Sequence, residues 1–207
     1  MRKRTEPTAI ERARRAQIVR AAIDTIAENG YPRASFSAIA AAAGLSSTGL
    51  ISYHFASKQN LMTEVIATIM ADFTAFVAAR TGHGTPAERL ADFVTANCTF
   101  IREHRNHLVT MLQLQTVAAD TEARDRQADS DRAKLAGLLA EGQRAGDFRA
   151  FDPDLMAGFI LSLRNGVILR AAARPDFDLS ACTTELLATI QLATVAPRDA
   201  AARDATG

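Results

Sequence analysis

The period of the apolar residues restricts this chain most. They recur at spacings of three and four from residue 12 to residue 196, and no stretch alternates apolar with polar between turn signals. Side chains at that spacing share one face of a helix, whereas a strand needs a period of two. The expected fold is all-α, and 207 residues give room for one large domain or two small ones.

Helix borders are legible as well. The first helix is expected over residues 12–29, with Ile18, Ala22 and Ile26 on one face and Asn29-Gly30 as its stop. Thr85-Pro86-Ala87-Glu88 is a capping box with proline at the first helical position, and it follows the break Gly82-His83-Gly84. Asp152-Pro153 opens a helix running to about residue 173, and a last helix opens within 176–180 and ends before Pro197. Nine of the fifteen residues at 120–134 are charged, which reads as a loop leading into a helix from about Asp129. The stretch 197–207 has no large apolar residue and is expected to be a disordered tail.

With 48% hydrophobic and 23% charged residues, the chain is neither a disordered nor a collagen-like sequence. Two cysteines, Cys98 and Cys182, make no disulfide framework and no zinc site by spacing, so a reducing compartment is expected. Met1-Arg2-Lys3-Arg4 is basic but precedes no apolar segment of signal-peptide type. The longest apolar stretch, 155–163, is shorter than the roughly 20 residues that span a bilayer, so a cytoplasmic protein without a membrane partner is expected.

The net charge of +1 hides an asymmetry. Residues 1–60 carry nine Lys or Arg against four Asp or Glu, and the remainder carries 15 against 19. A basic head on an acidic body points to a polyanion-binding module joined to a part with another task.

Inside that head lies the informative stretch, residues 35–58. Ser35 is a good N-cap for a short helix at 36–43 with Ile39 and Ala43 inward, and Gly44 ends it. Ser46, Ser47 or Thr48 then caps a second short helix reaching Phe55. Two short helices joined by a glycine turn are the geometry of a helix-turn-helix, whose second helix lies in the major groove of DNA. Small groups at its start, Ser46, Ser47, Thr48 and Gly49, let the backbone approach phosphate and offer hydroxyls. Leu50, Ile51 and Phe55 would pin it to the core while Ser52, Tyr53 and His54 project elsewhere. Ser57 caps a further helix whose first residue, Lys58, adds a phosphate contact.

The pattern Ile39-Ala40-x-x-Ala43-Gly44-Leu45-Ser46, then Gly49 to Phe55 and Ser57-Lys58, resembles the DNA-binding domain of TetR-family transcriptional regulators. The chain departs from the family pattern in a turn one residue longer, in Ser52 where many members carry tyrosine, and in Asn60 in place of an acid. The resemblance implies a three-helix DNA-binding domain at 11–73 with its motif at 35–55, and a helical effector-binding and dimerisation domain at 74–196. It further implies a homodimer on an inverted-repeat operator of double-stranded DNA, held through the last two helices. A repressor released by a small-molecule effector is the implied function.

For the effector, the spacing offers one helical face, Phe93, Asn97, Phe100, His104, His107, Met111 and Gln115, mixing aromatics with amides and imidazoles. Burying such polar groups unpaired costs about 1–3 kcal/mol each, so a ligand cavity or a face partly open to water accounts for them. With Phe159 added, the expected effector is mostly apolar, drug-sized and uncharged or weakly charged. His104 and His107 with Cys98 and Glu103 invite a metal reading, but two histidines three apart are fewer than the three or four ligands a site needs. No metal or cofactor is expected. Nucleophile elbow, Walker and dinucleotide motifs do not occur, so an enzyme has only a helical cavity with a histidine in its favour.

Overall fold

A computed structural model describes residues 8–115 and 121–195. The basic residues Arg2, Lys3 and Arg4 and the expected tail at 197–207 lie outside the described residues. Among the described residues the elements are nine α-helices and one 3-10 turn, with no strand. The helices are α1 (Ala9–Asn29), α2 (Phe36–Ala42), α3 (Gly49–His54), α4 (Lys58–Ala78), α5 (Pro86–Glu103), α6 (Arg105–Gln115), α7 (Thr121–Ala145), α8 (Pro153–Ala173) and α9 (Leu179–Thr194). They form two compact units. The first takes the described residues up to Phe76 together with those from Glu103 through α6, and the second takes Val77–Arg102 and the described residues from α7 onward.

In the first unit, α1 starts three residues before the apolar period becomes visible, because Thr8 and Glu11 cap it. Thr8 Oγ1 accepts from the Glu11 N–H at 3.2 Å and the Glu11 carboxylate accepts from the Thr8 N–H at 2.7 Å. The Thr8 amide is the main reason the Glu11 pKa lies below the usual carboxylate value. Ile18, Ala22 and Ile26 of α1 pack with Ile39, Ile51, Leu61 and Val65 in one core. Each isoleucine or leucine fully buried in this way contributes about 1.5–3 kcal/mol. Gly44, with φ at 65°, supplies the left-handed turn that ends α2.

Helix α6 belongs to this core too, although the sequence assigns it to the second domain. Leu114 is buried there, and Thr110 Oγ1 donates to the Ile23 carbonyl at 2.8 Å. The Gln113 amide accepts from the Tyr31 N–H at 2.7 Å and donates to the Ile26 carbonyl at 3.3 Å, satisfying groups around the end of α1.

The second core joins Leu90 and Val94 of α5, Leu135 and Leu139 of α7, Ala157, Ile160 and Val167 of α8, and Leu186 and Ile190 of α9. Its helices start where the sequence places them: Thr85 and Glu88 form the capping box of α5, Asp152 caps α8, and Asp178 caps α9. The exception is α7, which begins at Thr121 rather than near Asp129. From Asp125 to Lys134 it is a largely solvated helix in which Asp129 pairs with Arg132 and Gln127 bonds Asp131, spacings of three and four that support an exposed helix. Gly142 is needed for space, because a Cβ there would collide with the ring of Phe148.

By length and apolar composition alone, α4 and α8 would pass for membrane spans, a point the shorter run at 155–163 conceals. Both instead contribute side chains to the two cores. What remains on α8 is an outer stripe, Leu155, Phe159, Leu163 and Leu169, all exposed, and exposed Leu192 on α9 and Val195 just after it add to the apolar surface.

Candidate functional site

The two short helices stand as the sequence requires. Ser35 Oγ accepts from the Ala38 N–H at 3.2 Å and starts α2, and Ile39 and Ala43 face the core. After the Gly44 turn, α3 is anchored by Ile51 and by Phe55 just beyond its end, both fully buried. Leu50 is half exposed and adds little to that anchoring, against expectation. Position 50 lies beside the inward residue and not a helical turn away from it.

Ser46, Ser47, Thr48, Gly49, Ser52 and Tyr53 form one continuous exposed surface. Thr48 takes the N-cap position of α3 with helical dihedrals and makes no side-chain capping bond. Its hydroxyl is thus uncommitted, as an interface needs. Gly49 has no positive φ, and a Cβ would meet only Ser47 Oγ at 3.4 Å. Neither conformation nor space calls for glycine there, so the fold itself does not require the missing side chain. Tyr53 is 73% exposed, and its hydroxyl reaches the Glu11 carboxylate at 3.4 Å, a long bond. The ring of His54 sits edge-on to Tyr53 and is only partly exposed.

Lys58 is held more tightly than a simple phosphate contact would be. Its ammonium lies 4.2 Å from the centre of the Tyr31 ring and donates to the Tyr31 carbonyl at 3.2 Å. Ser57 caps α4 as expected, accepting from the Asn60 N–H at 3.1 Å while donating to Asn60 Oδ1. Asn60 therefore does the capping work of the acid that it replaces.

Arg15 escapes sequence reasoning, which counts it only as charge. Its guanidinium donates to the His54 carbonyl, reaches Glu64 at 3.1 Å and covers the Phe55 ring at 4.4 Å. The signal available was its place one turn before the buried Ile18 and Val19, on the side of α1 that meets α3 and α4.

The expected effector face is not one face. The helix breaks at His104, so Phe93, Asn97 and Phe100 lie on α5 in the second unit, while His104, Met111 and Gln115 belong to the first. Met111 packs against the first core, and His104 stacks edge-on with Phe76 and His107. Gln115 is exposed. Phe93 packs against the second core, while Phe100 is buried and Phe159 is 62% exposed on the outer stripe of α8. Asn97 is fully buried with both ends of its amide used: Nδ2 donates to the Phe93 carbonyl at 2.7 Å, and Oδ1 accepts from Arg164 at 3.3 Å. Arg164 is the second residue the sequence reading passed over. His107 pairs with Asp72 at 3.2 Å, and among the described residues no three His, Cys, Asp or Glu are grouped to hold a metal.

Comparison with known proteins matches this architecture. Residues 18–65 fit the model of bacterial regulatory proteins of the TetR family, and residues 83–169 fit a tetracyclin repressor-like C-terminal domain. No curated protein matches the chain. Among solved structures, a TetR-like transcriptional regulator from Rhodococcus sp. RHA1 is 23% identical with a TM-score of 0.72, covering 91% of this chain and 99% of that one. The ketosteroid transcriptional regulator KstR2 of Mycobacterium tuberculosis is 22% identical with a TM-score of 0.71, over 89% and 96% of the two chains. The fatty acid degradation regulator FadR from Bacillus halodurans is 24% identical with a TM-score of 0.70, over 85% and 97%. A core-anchored α3 with an open, hydroxyl-rich start, set in a chain whose two parts both match one family, leads to one conclusion: the protein belongs to the TetR family and is a DNA-binding transcriptional regulator, not an enzyme.

Proposed function

We propose that the protein is a homodimeric repressor that leaves a palindromic operator when a small organic effector binds its second unit. The observation that carries the DNA half is the exposed run Ser46 to Gly49 leading into Ser52 and Tyr53 on a helix fixed from behind by Ile51 and Phe55. Such a surface suits the major groove, with hydroxyls for phosphate and base edges, and Ser35 and Lys58 flank it. Dimerisation is supported by the outer stripe of α8 and by Leu192 of α9. Exposed apolar side chains aligned along one helix face are a surface that a second copy would cover.

Effector response is supported by the tetracyclin repressor-like match over 83–169 and by the polar pair of buried Asn97 and partly buried Arg164 beside an apolar interior. Two of the similar structures are named for ketosteroid and fatty acid regulation, both classes of mostly hydrocarbon molecules. Phe93, Asn97 and Phe100 stay in the proposed effector region, whereas Phe159 is reassigned to the dimer face. His104, Met111 and Gln115 fall in the unit that carries the DNA-binding surface, on or just before α6. That helix grips α1 through Thr110 and Gln113, which supports a role for it in shifting the heads between operator-fitting and non-fitting states. The protein would act where the chromosome is, in the cytoplasm.

The test is fluorescence anisotropy with DNA from upstream of the adjacent gene. A full inverted repeat, with half-sites about 34–36 Å apart or a multiple of that, should bind far more tightly than one half-site, and affinity should fall steeply with salt. Equal affinity for one half-site and the palindrome would remove the dimeric reading. If no compound in a broad organic library releases the operator, effector response is wrong.

A further inference from the structure

The inward stripe of α8, formed by Ala157, Ile160 and Val167, is interrupted at its middle by Arg164. Opposite stands Asn97, equally out of place among Leu90, Val94 and Ile101 on the inward face of α5. The two meet through Arg164 Nη1 and Asn97 Oδ1 at 3.3 Å, and the other guanidinium bonds, from Nε and Nη2, go to Asn165 Oδ1 at 3.3 and 3.0 Å. Every partner is a neutral amide. Among the described residues no carboxylate stands within ion-pair distance of Arg164, although Asp131 on α7 is felt at longer range. A guanidinium has five N–H donors, and three are used here, so one on each terminal nitrogen remains.

Arg164 is partly buried, and a guanidinium drawn partly out of water without a counter-charge is kept chiefly where a charge is to be met. Burial lowers the pKa of Arg164, with Asp131 and Cys98 opposing that shift, so the low-polarity setting is felt by the charge itself. The side chain stays protonated all the same, as arginine does in proteins. An anion with two coplanar acceptors is the shape that a guanidinium fork binds best.

We propose that Arg164 and Asn97 anchor the carboxylate of a small organic acid, whose apolar body lies among the side chains of α5 and α8. The inference rests on the effector-responsive reading and narrows it to one chemical class. A single guanidinium beside a neutral amide, with Asp131 nearby, suits a monoanion and disfavours a phosphate dianion. The hydrocarbon part follows from Val94, Ile160 and Val167, which flank the two polar residues in sequence on the same inward faces.

The experiment compares each of two acids, octanoate and phenylacetate, with its uncharged amide, octanamide or phenylacetamide. Binding to the full-length protein is followed by thermal shift and calorimetry, and operator release by anisotropy. At least one acid should bind the wild type ten-fold or more tightly than its amide and should release the operator. Arg164→Gln should bring acid and amide to within about two-fold while leaving DNA binding intact. If that variant does not fold, Arg164→Lys serves, and it should keep a preference for the acid because it keeps the charge. Equal binding of acid and amide by the wild type overturns the inference, as does failure of both acids to bind, or an acid preference that survives Arg164→Gln. Neutral compounds that release the operator where no acid does would sink the carboxylate and leave effector response standing.

Discussion

The guanidinium of Arg15 donates to the carbonyl of His54 at 2.7 Å, so the first helix holds the last residue of the helix that meets DNA. Carbonyls at a helix end have no partner within the helix, and a cation there both satisfies one and complements the helix dipole. Phe55, under the same guanidinium, is the residue that turns the chain toward α4. One side chain thereby sets the orientation of α3 relative to α1.

Arg15→Ala should therefore cost about 1.5–3 kcal/mol of stability, the range for a hydrogen bond to a charged group, with little from the half-exposed Glu64 pair. DNA affinity should fall as well, while the slope of affinity against salt stays unchanged, because the Arg15 guanidinium is engaged by His54, Glu64 and the Phe55 ring. Urea unfolding and anisotropy at several salt concentrations check both parts. A salt slope that drops by about one would make Arg15 a phosphate contact instead.

Gly49→Ala separates folding from recognition. An alanine in a helix is favoured over glycine by about 0.8–1 kcal/mol, and the nearest atom to the new Cβ, at 3.4 Å, is the flexible Ser47 hydroxyl. The variant should melt no lower than the wild type, yet bind the operator more weakly. Tyr53→Ala should behave alike, since the polar contact of its hydroxyl inside the chain is the long bond to Glu11. Undiminished binding by both variants would move the interface off α3.

The dimer is tested on the outer stripe rather than at Leu186. Leu186 lies on α9, one of the last two helices, but it is 6% exposed and part of the second core, so a charge there would unfold the unit and reveal nothing about assembly. Phe159→Glu combined with Leu192→Glu replaces two exposed residues and should give a folded monomer by light scattering, with unchanged helical circular dichroism. A dimer of unchanged mass would place the interface elsewhere.

Gly142→Ala should destabilise the second unit by about 1–3 kcal/mol, the usual cost of overpacking, because its methyl group enters the volume of the Phe148 ring. Gly142→Ala with Phe148→Leu should recover part of the loss. Thermal melts of the two variants decide, and a neutral single substitution would show that Phe148 moves aside freely.

The two thiols should differ in reactivity. Burial is the main cause that pushes the Cys98 thiol above its ordinary pKa, whereas Cys182 is only partly buried. Alkylation of the native protein at pH 8 should mark Cys182 first and Cys98 only on unfolding, because the thiolate is the reactive form. Mass spectrometry of the labelled peptides reads the order.

The helix starts at Thr85, Asp152 and Asp178 and the two helices and glycine turn of the helix-turn-helix are legible in the chain, because caps and turns act over three or four neighbouring residues, whereas the outward side of Leu50 and the missing side-chain cap of α3 are not. The start of α7 is not, since a solvated helix and a charged loop share one composition, and only pairs such as Asp129 with Arg132 separate them. The stripe from Phe93 to Gln115 misleads for a related reason: periodicity does not register the break at His104, after which the next helix turns its inward side to a different core. Arg15 and Arg164 are the residues most easily missed. Their meaning lies in partners 39 and 67 residues away, His54 and Asn97, and spacing along the chain carries no trace of these.

Only Ile51 within α3, and Phe55 after it, tie the recognition helix to the core. The remaining side chains from Ser46 to Tyr53 have almost no part in folding, so mutation there is nearly free of a stability penalty. A lineage built on this scaffold is able to drift from one operator to another by point changes in that short segment, each intermediate staying folded, while Arg15 keeps the helix aimed at whatever sequence it comes to read.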